Sequence, residues 1–409
     1  MPDAAVAEKL ERFPLGARLR LADLERYDNA PLLHRLREQE PVTWFAEQDV
    51  WLVTSKKLFD EVMMDPARFV VDVPGNPQAV VLGRMMLAVD EPHHTRHRAP
   101  FAVPFRYSQV TARFGDLVAE RVDCLLHRFQ HDGKCELATA FANPFAVSVA
   151  SDVLGLELEH VDEVHDIYGA FADGMVGYQN RSAVARARDA SNRLHEFLMP
   201  TIERLRSQGD ASMLAEVLCA GKDSFQDDEE LLANLRVILF GAIETVESMI
   251  LNTTWAICKH PEERQRLASD PRLWPAAVQE GLRWIPPVGY ADRWASVDTP
   301  LGGTQIARGD YLVPVIASAN RDPAAFPDPD RFDVGRGDNR QNLSFGKGIH
   351  MCLGVNLARL QGTLALRALF ERLPGLRLDP ADPTEPLGFN FRRPPRLALL
   401  WDSDRVAAR

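Results

Sequence analysis

Apolar residues recur at helical spacing over most of this chain, and strand-like runs are few and short. The longest periodic run covers 229–258, with Leu235, Ile238, Leu239, Ala242, Val246, Met249 and Ile250 on the inward face. Roughly thirty residues at about 1.5 Å each predict a helix of about 45 Å, long enough to cross the whole molecule. Further helices are predicted over 30–38, 56–64, 110–130, 137–154, 161–175, 183–207 and 274–284. Strands are predicted at 42–45 and 50–54 around a turn, at 301–310 as strand–turn–strand, at 311–317, and as a closing hairpin over 389–401. The stretch 68–90 follows neither period. An irregular segment of that length inside a compact unit is more often functional than not. The pattern predicts a mainly α fold with small β-sheets, an α+β arrangement with strands near 40–70 and 286–320.

Composition narrows the function classes. The 409 residues are 46% hydrophobic and 26% charged, ordinary for a soluble globular protein. Length alone would make two domains the default. A net charge of −11 argues against a nucleic-acid partner. Residues 1–20 mix Glu8, Lys9, Glu11, Arg12, Arg18 and Arg20 among apolar ones, which leaves no signal-peptide core and no membrane span. Five cysteines, at 124, 135, 219, 258 and 352, show no paired spacing, so reduced thiols in a cytoplasmic protein are expected.

Four stretches carry chemistry. In 345–354, Gly346, Gly348 and Gly354 make a loop that delivers Cys352 to the start of a helical run. A helix N-terminus favours a thiolate, although a lone cysteine is more often an inert buried thiol. In 91–98, His94 and Arg98 share a face at i, i+4 and Arg96 points elsewhere; a solvated basic face is the plain alternative. In the long helix, Glu244 and Thr245 follow Gly241 and Ala242. The plain alternative there is a surface acid and a threonine bonded to its own turn. Glu280 and Arg283, at i, i+3, would be worth only a few tenths of a kcal/mol on an exposed helix.

Together these stretches resemble one family. Phe345-x-x-Gly348-x-His350-x-Cys352-x-Gly354 resembles the haem-binding loop of the cytochrome P450 family, with every position filled. Four further segments, from His94 onward, occur in that family's order. The resemblance implies the cytochrome P450 fold over 1–409 as one haem domain, with the long helix crossing over haem b (iron protoporphyrin IX). Cys352 is then the axial ligand and the metal contact. His94, Arg98, Arg293 and His350 bind propionates, Phe345 packs near the sulfur, and Gly346, Gly354 and Ala242 lie against the porphyrin. Thr245 and Glu244 deliver protons during O–O cleavage; Gly241-Ala242 reverses the family's usual Ala-Gly order while keeping both residues small. Glu280, Arg283 and Arg331 form a buried structural lock.

The implied activity is that of a monooxygenase using O2 on a hydrophobic small molecule. Val237, Phe240, Gly241, Val288 and Phe391 would line its pocket with parts of 68–90, under a lid built from 161–207. Core packing is the plain alternative for Phe240 and Phe391. Electrons would come from a separate ferredoxin docked near Arg96, Lys347 and Arg359. A peroxide-driven haem-thiolate enzyme, a haem-binding protein without oxygenase activity, and a haem-free enzyme using Cys352 as nucleophile with His350 are the alternatives.

Overall fold

The computed structural model describes residues 4–156, 161–210, 212–221, 224–337 and 339–406. The long periodic pattern is one helix, Asp228–Lys259, whose N-cap Asp227 accepts from the Glu230 N–H. Three acids in its first turn and Lys259 in its last complement the helix dipole. It is buried along most of its length because Asn143–Leu154, Trp274–Trp284 and Val355–Arg372 pack against it. Tyr107–His127 closes this layer by packing on Val355–Arg372 and Asn143–Leu154. Val161–Val176 and Arg181–Gln208 pair with each other and cover the short helix Pro77–Leu82.

The largest sheet has the strand order Val42–Phe45, Val50–Val53, Tyr311–Pro314, Arg293–Ala295, Phe69–Val70. Only the pairing of Val50–Val53 with Tyr311–Pro314 is parallel. Both faces are covered: Trp44, Trp51 and Val53 join one core with Phe13, while Phe45, Leu52 and Val313 join another with Leu24 and Leu36. Three N-terminal helices that the periodicity did not predict, Ala4–Arg12, Pro14–Arg18 and Leu21–Glu25, add Val6, Leu15 and Leu24 to these cores.

The mainly helical class with small sheets is as expected, and several details differ. The region 68–90 contains strand Phe69–Val70 and helix Pro77–Leu82, the latter capped by Asn76. Helix 137–154 starts as a π-helical turn, Ala138–Ala142. Strand 311–317 is shorter than expected: it ends at Pro314, Val315 still bonds the Val53 carbonyl, and a turn of helix, Ile316–Ala319, follows. The closing segment is no simple hairpin. Residues 387–393 double back through the Leu387–Arg393 pair and lie along Val288, while Ala398–Leu400 joins Lys134–Glu136 and Arg377–Leu378 in a separate sheet. Helices Met213–Ala220 and Pro261–Ser269 were not anticipated.

Glu280 is fully buried at the centre of an ion cluster. Arg283 donates to both its oxygens, Nε to Oε2 and Nη2 to Oε1, each at 2.8 Å. The second guanidinium is Arg336, with Nε 3.2 Å from Oε1, and the Asp333 N–H adds a fourth donor at 2.9 Å. This corrects the expectation for Arg331. Its side chain is exposed and reaches only Glu263, at 4.0 Å, while its backbone carbonyl accepts from both Arg283 and Arg336. A buried acid keeps its charge only where donors saturate it, and Arg336 is the arginine whose side chain turns inward. Arg336→Ala should therefore destabilise the protein by about 3–5 kcal/mol, and Arg331→Ala by no more than about 0.5 kcal/mol. Urea unfolding of the two variants decides it, and equal losses would restore Arg331 to the lock.

Candidate functional site

The lock reaches the cysteine loop through a short chain of hydrogen bonds. Arg283 Nη1 donates to the Asn320 carbonyl; Asn320 Oδ1 accepts from the Leu343 N–H at 2.7 Å, and its Nδ2 donates to Ser344 Oγ. The Ser344 hydroxyl in turn donates to the Leu282 carbonyl. Phe345 therefore leaves a fixed point. Gly346 and Gly348 take left-handed φ of 67° and 75°, which only glycine adopts cheaply. A Cβ on Gly348 would overlap the Met63 carbonyl, so the loop lies directly on the end of helix Lys56–Met64. The turn closes with Cys352 N–H donating to the Phe345 carbonyl at 2.8 Å, and helix Val355–Arg372 starts three residues on.

Cys352 faces a large cavity of about 810 Å³, lined along its other wall by the long helix. Burial pushes the Cys352 thiol up; the Gly354 N–H and the guanidiniums of Arg98 and Arg359 pull against it. The dipole at the helix start thus does not by itself make a thiolate here. A cationic metal would, because coordination deprotonates a thiol. Among the described residues no group of three or more His, Cys, Asp or Glu is placed to hold a metal ion. A metal at Cys352 must bring most of its ligands with it, as a porphyrin does.

A cradle for anionic groups stands beside the sulfur. Arg98 donates one nitrogen to the Met351 carbonyl at 2.6 Å, while its buried Nη1 has no partner. No carboxylate among the described residues pairs with it. The rings of His94 and His350 meet edge to face at 4.6 Å, and Nε2 of each is buried without a hydrogen bond. Burial, reinforced by Arg293, His94 and Arg98, pushes the His350 pKa down to about 2, so the ring is neutral and keeps one N–H to give. Burial likewise lowers His94. Arg293 is buried, lines the cavity, and has its pKa pulled down to about 10 by desolvation. Unpaired buried donors are costly, and two carboxylates arriving together would satisfy them. The donor set fits haem propionates on this ground.

Each expected porphyrin neighbour, Phe345, Gly346, Gly354 and Ala242, lines the same cavity, as do Arg98, Arg293 and His350; His94 reaches it through His350. The five expected pocket residues Val237, Phe240, Gly241, Val288 and Phe391 line it too. Phe240 and Phe391 also pack on each other edge to face at 5.2 Å, so wall and packing readings both hold. A Cβ on Gly241 would meet nothing within 4 Å, so the reversed Gly241-Ala242 order leaves open space.

Thr245 lines the cavity and its hydroxyl donates to the Gly241 carbonyl at 2.5 Å. Glu244 is buried on another side of the helix. Burial raises its pKa, with Glu247 adding to the rise and Arg393 opposing it from 3.7 Å. Arg393 also pairs with Glu247, which lies 3.8 Å from His165. Sequence reasoning missed Arg393 and Glu247, since nothing local links residues so far apart. It also misplaced Arg96, whose guanidinium grips Glu230 with both terminal nitrogens and holds that carboxylate down to about 2. Arg96 is therefore withdrawn from the proposed docking set. Lys347 pairs with Asp60 at 2.9 Å, and Arg359 lies over the Phe345 ring.

A helical fold with one thiol and a basic cradle facing a large cavity defines a haem-thiolate protein. Comparison with known proteins agrees. The Cytochrome P450 family model matches residues 33–395. The Streptomyces venezuelae monooxygenase PikC is 32% identical over 399 residues, covering 93% of each chain. The 6-deoxyerythronolide B hydroxylase of Saccharopolyspora erythraea is 33% identical over 368 residues, covering 84% of this chain and 88% of its own. A Bacillus megaterium cytochrome P450 in complex with testosterone superimposes with a TM-score of 0.84 at 25% identity, over 92% of this chain and 98% of that one. A myxobacterial cytochrome P450 in complex with myristic acid gives 0.85 at 26% identity, over 92% and 97%. The chain belongs to the cytochrome P450 family and is a monooxygenase of that family.

Arg98→Leu should loosen haem by roughly 10–100-fold, since hydrogen bonds to charged groups contribute about 1.5–3 kcal/mol. Haem transfer to apomyoglobin measures this, and unchanged retention would remove Arg98 from the cradle.

Proposed function

We propose that this enzyme inserts one oxygen atom of O2 into a hydrophobic small organic molecule, with the chain acting as one haem-binding unit and electrons supplied by a separate ferredoxin. The observation that carries the reading is the convergence of Cys352 with unpaired buried donors on Arg98 and His350, and with the unpartnered Nε2 of His94, around one cavity. Bound there, haem supplies the electron transfer and oxygen chemistry that no side chain provides. Cys352 holds the iron, and the two arginines and two histidines orient the ring through its propionates. Val237, Phe240, Val288 and Phe391 hold substrate by burying its apolar surface. Testosterone and myristic acid, bound by two of the structural neighbours, are both largely apolar.

Thr245 and Glu244 supply the proton side. Burial raises the Glu244 pKa above the ordinary carboxylate value, which makes its proton easier to take up and hold for transfer. With its proton given to the Gly241 carbonyl, the Thr245 hydroxyl presents lone pairs to the cavity and accepts a proton or hydrogen bond there. That acid–alcohol pair favours O2 over peroxide as oxidant. Lys347, which stays partly exposed beside its partner Asp60, and Arg359 are the basic contacts beside the cysteine loop for the ferredoxin. All five cysteines are free, in keeping with a reducing cytoplasm, and among the described residues no helix is long and apolar enough to cross a membrane.

Cys352→Ser should abolish the thiolate-type spectrum of the reduced, CO-treated protein; survival of that spectrum would sink the ligand assignment. Thr245→Ala should leave substrate affinity within about twofold, well under 1 kcal/mol, while diverting electrons into hydrogen peroxide. NAD(P)H consumed per product formed reads this out, and unchanged coupling would mean that another group gates the protons.

A further inference from the structure

The cavity wall is chemically uneven in a way the apolar lining does not explain. Its cationic side chains are Arg98 and Arg293, already matched to propionates, and the exposed Arg186. Its carboxylates are Asp292, Asp173 and Glu25. Of these, Asp292 is the buried one, at 8% exposure. The Tyr311 hydroxyl donates to Asp292 Oδ1, and Gln78 Nε2 donates to Oδ2 at 3.0 Å. Gln78 and Tyr311 line the cavity themselves, and Tyr178 and Tyr290 line it alongside them.

Tyr178 and Tyr290 bring hydroxyls to the same wall, yet at Asp292 itself the acceptors exceed the donors bonded to it. An ionised carboxylate offers about four lone-pair directions, and only two are taken by Tyr311 and Gln78. Tyr311 has spent its single proton on Asp292, so its oxygen can only accept more. Gln78 Oε1 is buried and has no partner. A buried acceptor left empty costs free energy, so this cluster is built to receive a proton donor. Burial raises the Asp292 pKa, while Tyr311, Gln78 and Arg293 act to keep the anion.

We propose that Asp292, Gln78 and Tyr311 form a polar subsite that receives a hydroxyl or protonated amine of the substrate, so that the substrate is an apolar molecule carrying a hydrogen-bond donor. The proposal rests on the monooxygenase reading and names its substrate class. A molecule with only acceptors would leave Asp292 and Gln78 Oε1 unpaired. A carboxylate brings no donor either. Sites built around buried hydrogen-bonding groups reject analogues that lack the matching group much more strongly than apolar pockets reject a change of size.

Four probes of one chain length test this on the haem-loaded protein: 1-dodecanol, N,N-dimethyldodecylamine, 2-dodecanone and dodecanoic acid. Dissociation constants come from the Soret shift, or from competition where the amine ligates iron. Dodecanol or the amine should bind at least tenfold more tightly than the ketone and the acid. Asp292→Leu and Gln78→Leu should each bring that ratio below threefold. Gln78→Leu leaves the Asp292–Tyr311 bond in place and covers the case in which Asp292→Leu fails to fold. Asp292→Asn separates the two donors: a tenfold loss for the amine alone marks an ammonium site, and smaller losses, equal for alcohol and amine, mark a hydroxyl site. No preference for donors in the wild type, no binding of dodecanol or the amine, or a preference that survives both leucine variants overturns the proposal. A normal thiolate-type CO spectrum alongside any of these results leaves the haem reading standing, whereas loss of that spectrum in the wild type would sink the haem reading itself.

Discussion

The saturated carboxylate of Glu280 is the constraint on which the cysteine loop depends. A bare anion at that depth would be prohibitive, so Arg283, Arg336 and the Asp333 N–H must all arrive for the region to fold. Their arrival fixes four backbone carbonyls of 327–331 and, through Asn320 and Ser344, the point from which Phe345 departs. The loop itself has a glycine-rich backbone, with Phe345 and Leu353 packed against the main core. Its accuracy is inherited from an ion cluster that never touches the cavity.

Two polar clusters on the cavity wall have opposite hydrogen-bond deficits. Beside Cys352, buried donors on Arg98 and His350 lack acceptors; at Asp292 and Gln78, acceptors outnumber the donors bonded to them. Much of the remaining wall is apolar, including Val237 and Phe240 of the long helix and Phe391. Such a site orients its contents at its polar clusters and holds them by burial elsewhere. The long helix contributes to both functions, because Thr245 faces the cavity while Glu244, next in line, faces Arg393 and Glu247.

What was legible in the chain was local. The loop 345–354, the helical run after it and the period of 229–258 all depend on near neighbours, and each was placed within a few residues. Contacts between distant segments were not legible. Arg331 and Arg336 sit in the same turn-rich stretch, and only the folded path of 327–336 decides which guanidinium turns inward. Arg96 read as a free surface cation because its partner, Glu230, lies 134 positions away. The segment 389–401 looked like a hairpin from its alternation, yet its two halves are claimed by different neighbours, Val288 and Lys134–Glu136. The acceptors at Asp292 had no signal at all, since Gln78 and Tyr311 come from a short helix and a separate strand.

The backbone along Val288 bears on how such an enzyme can change. Gly289 and Gly388 allow main chain to touch main chain there: the Gly289 N–H donates to the Asn390 carbonyl at 2.7 Å, and a Cβ on either glycine would overlap carbonyls of Phe389 or Phe391. This part of the wall is thus a frame made of peptide groups, and Val288 and Phe391 are panels hung on it. Exchanging those panels reshapes the chamber without shifting the frame. The enzyme can acquire a new substrate at these two positions while the cysteine loop and its lock stay as they are.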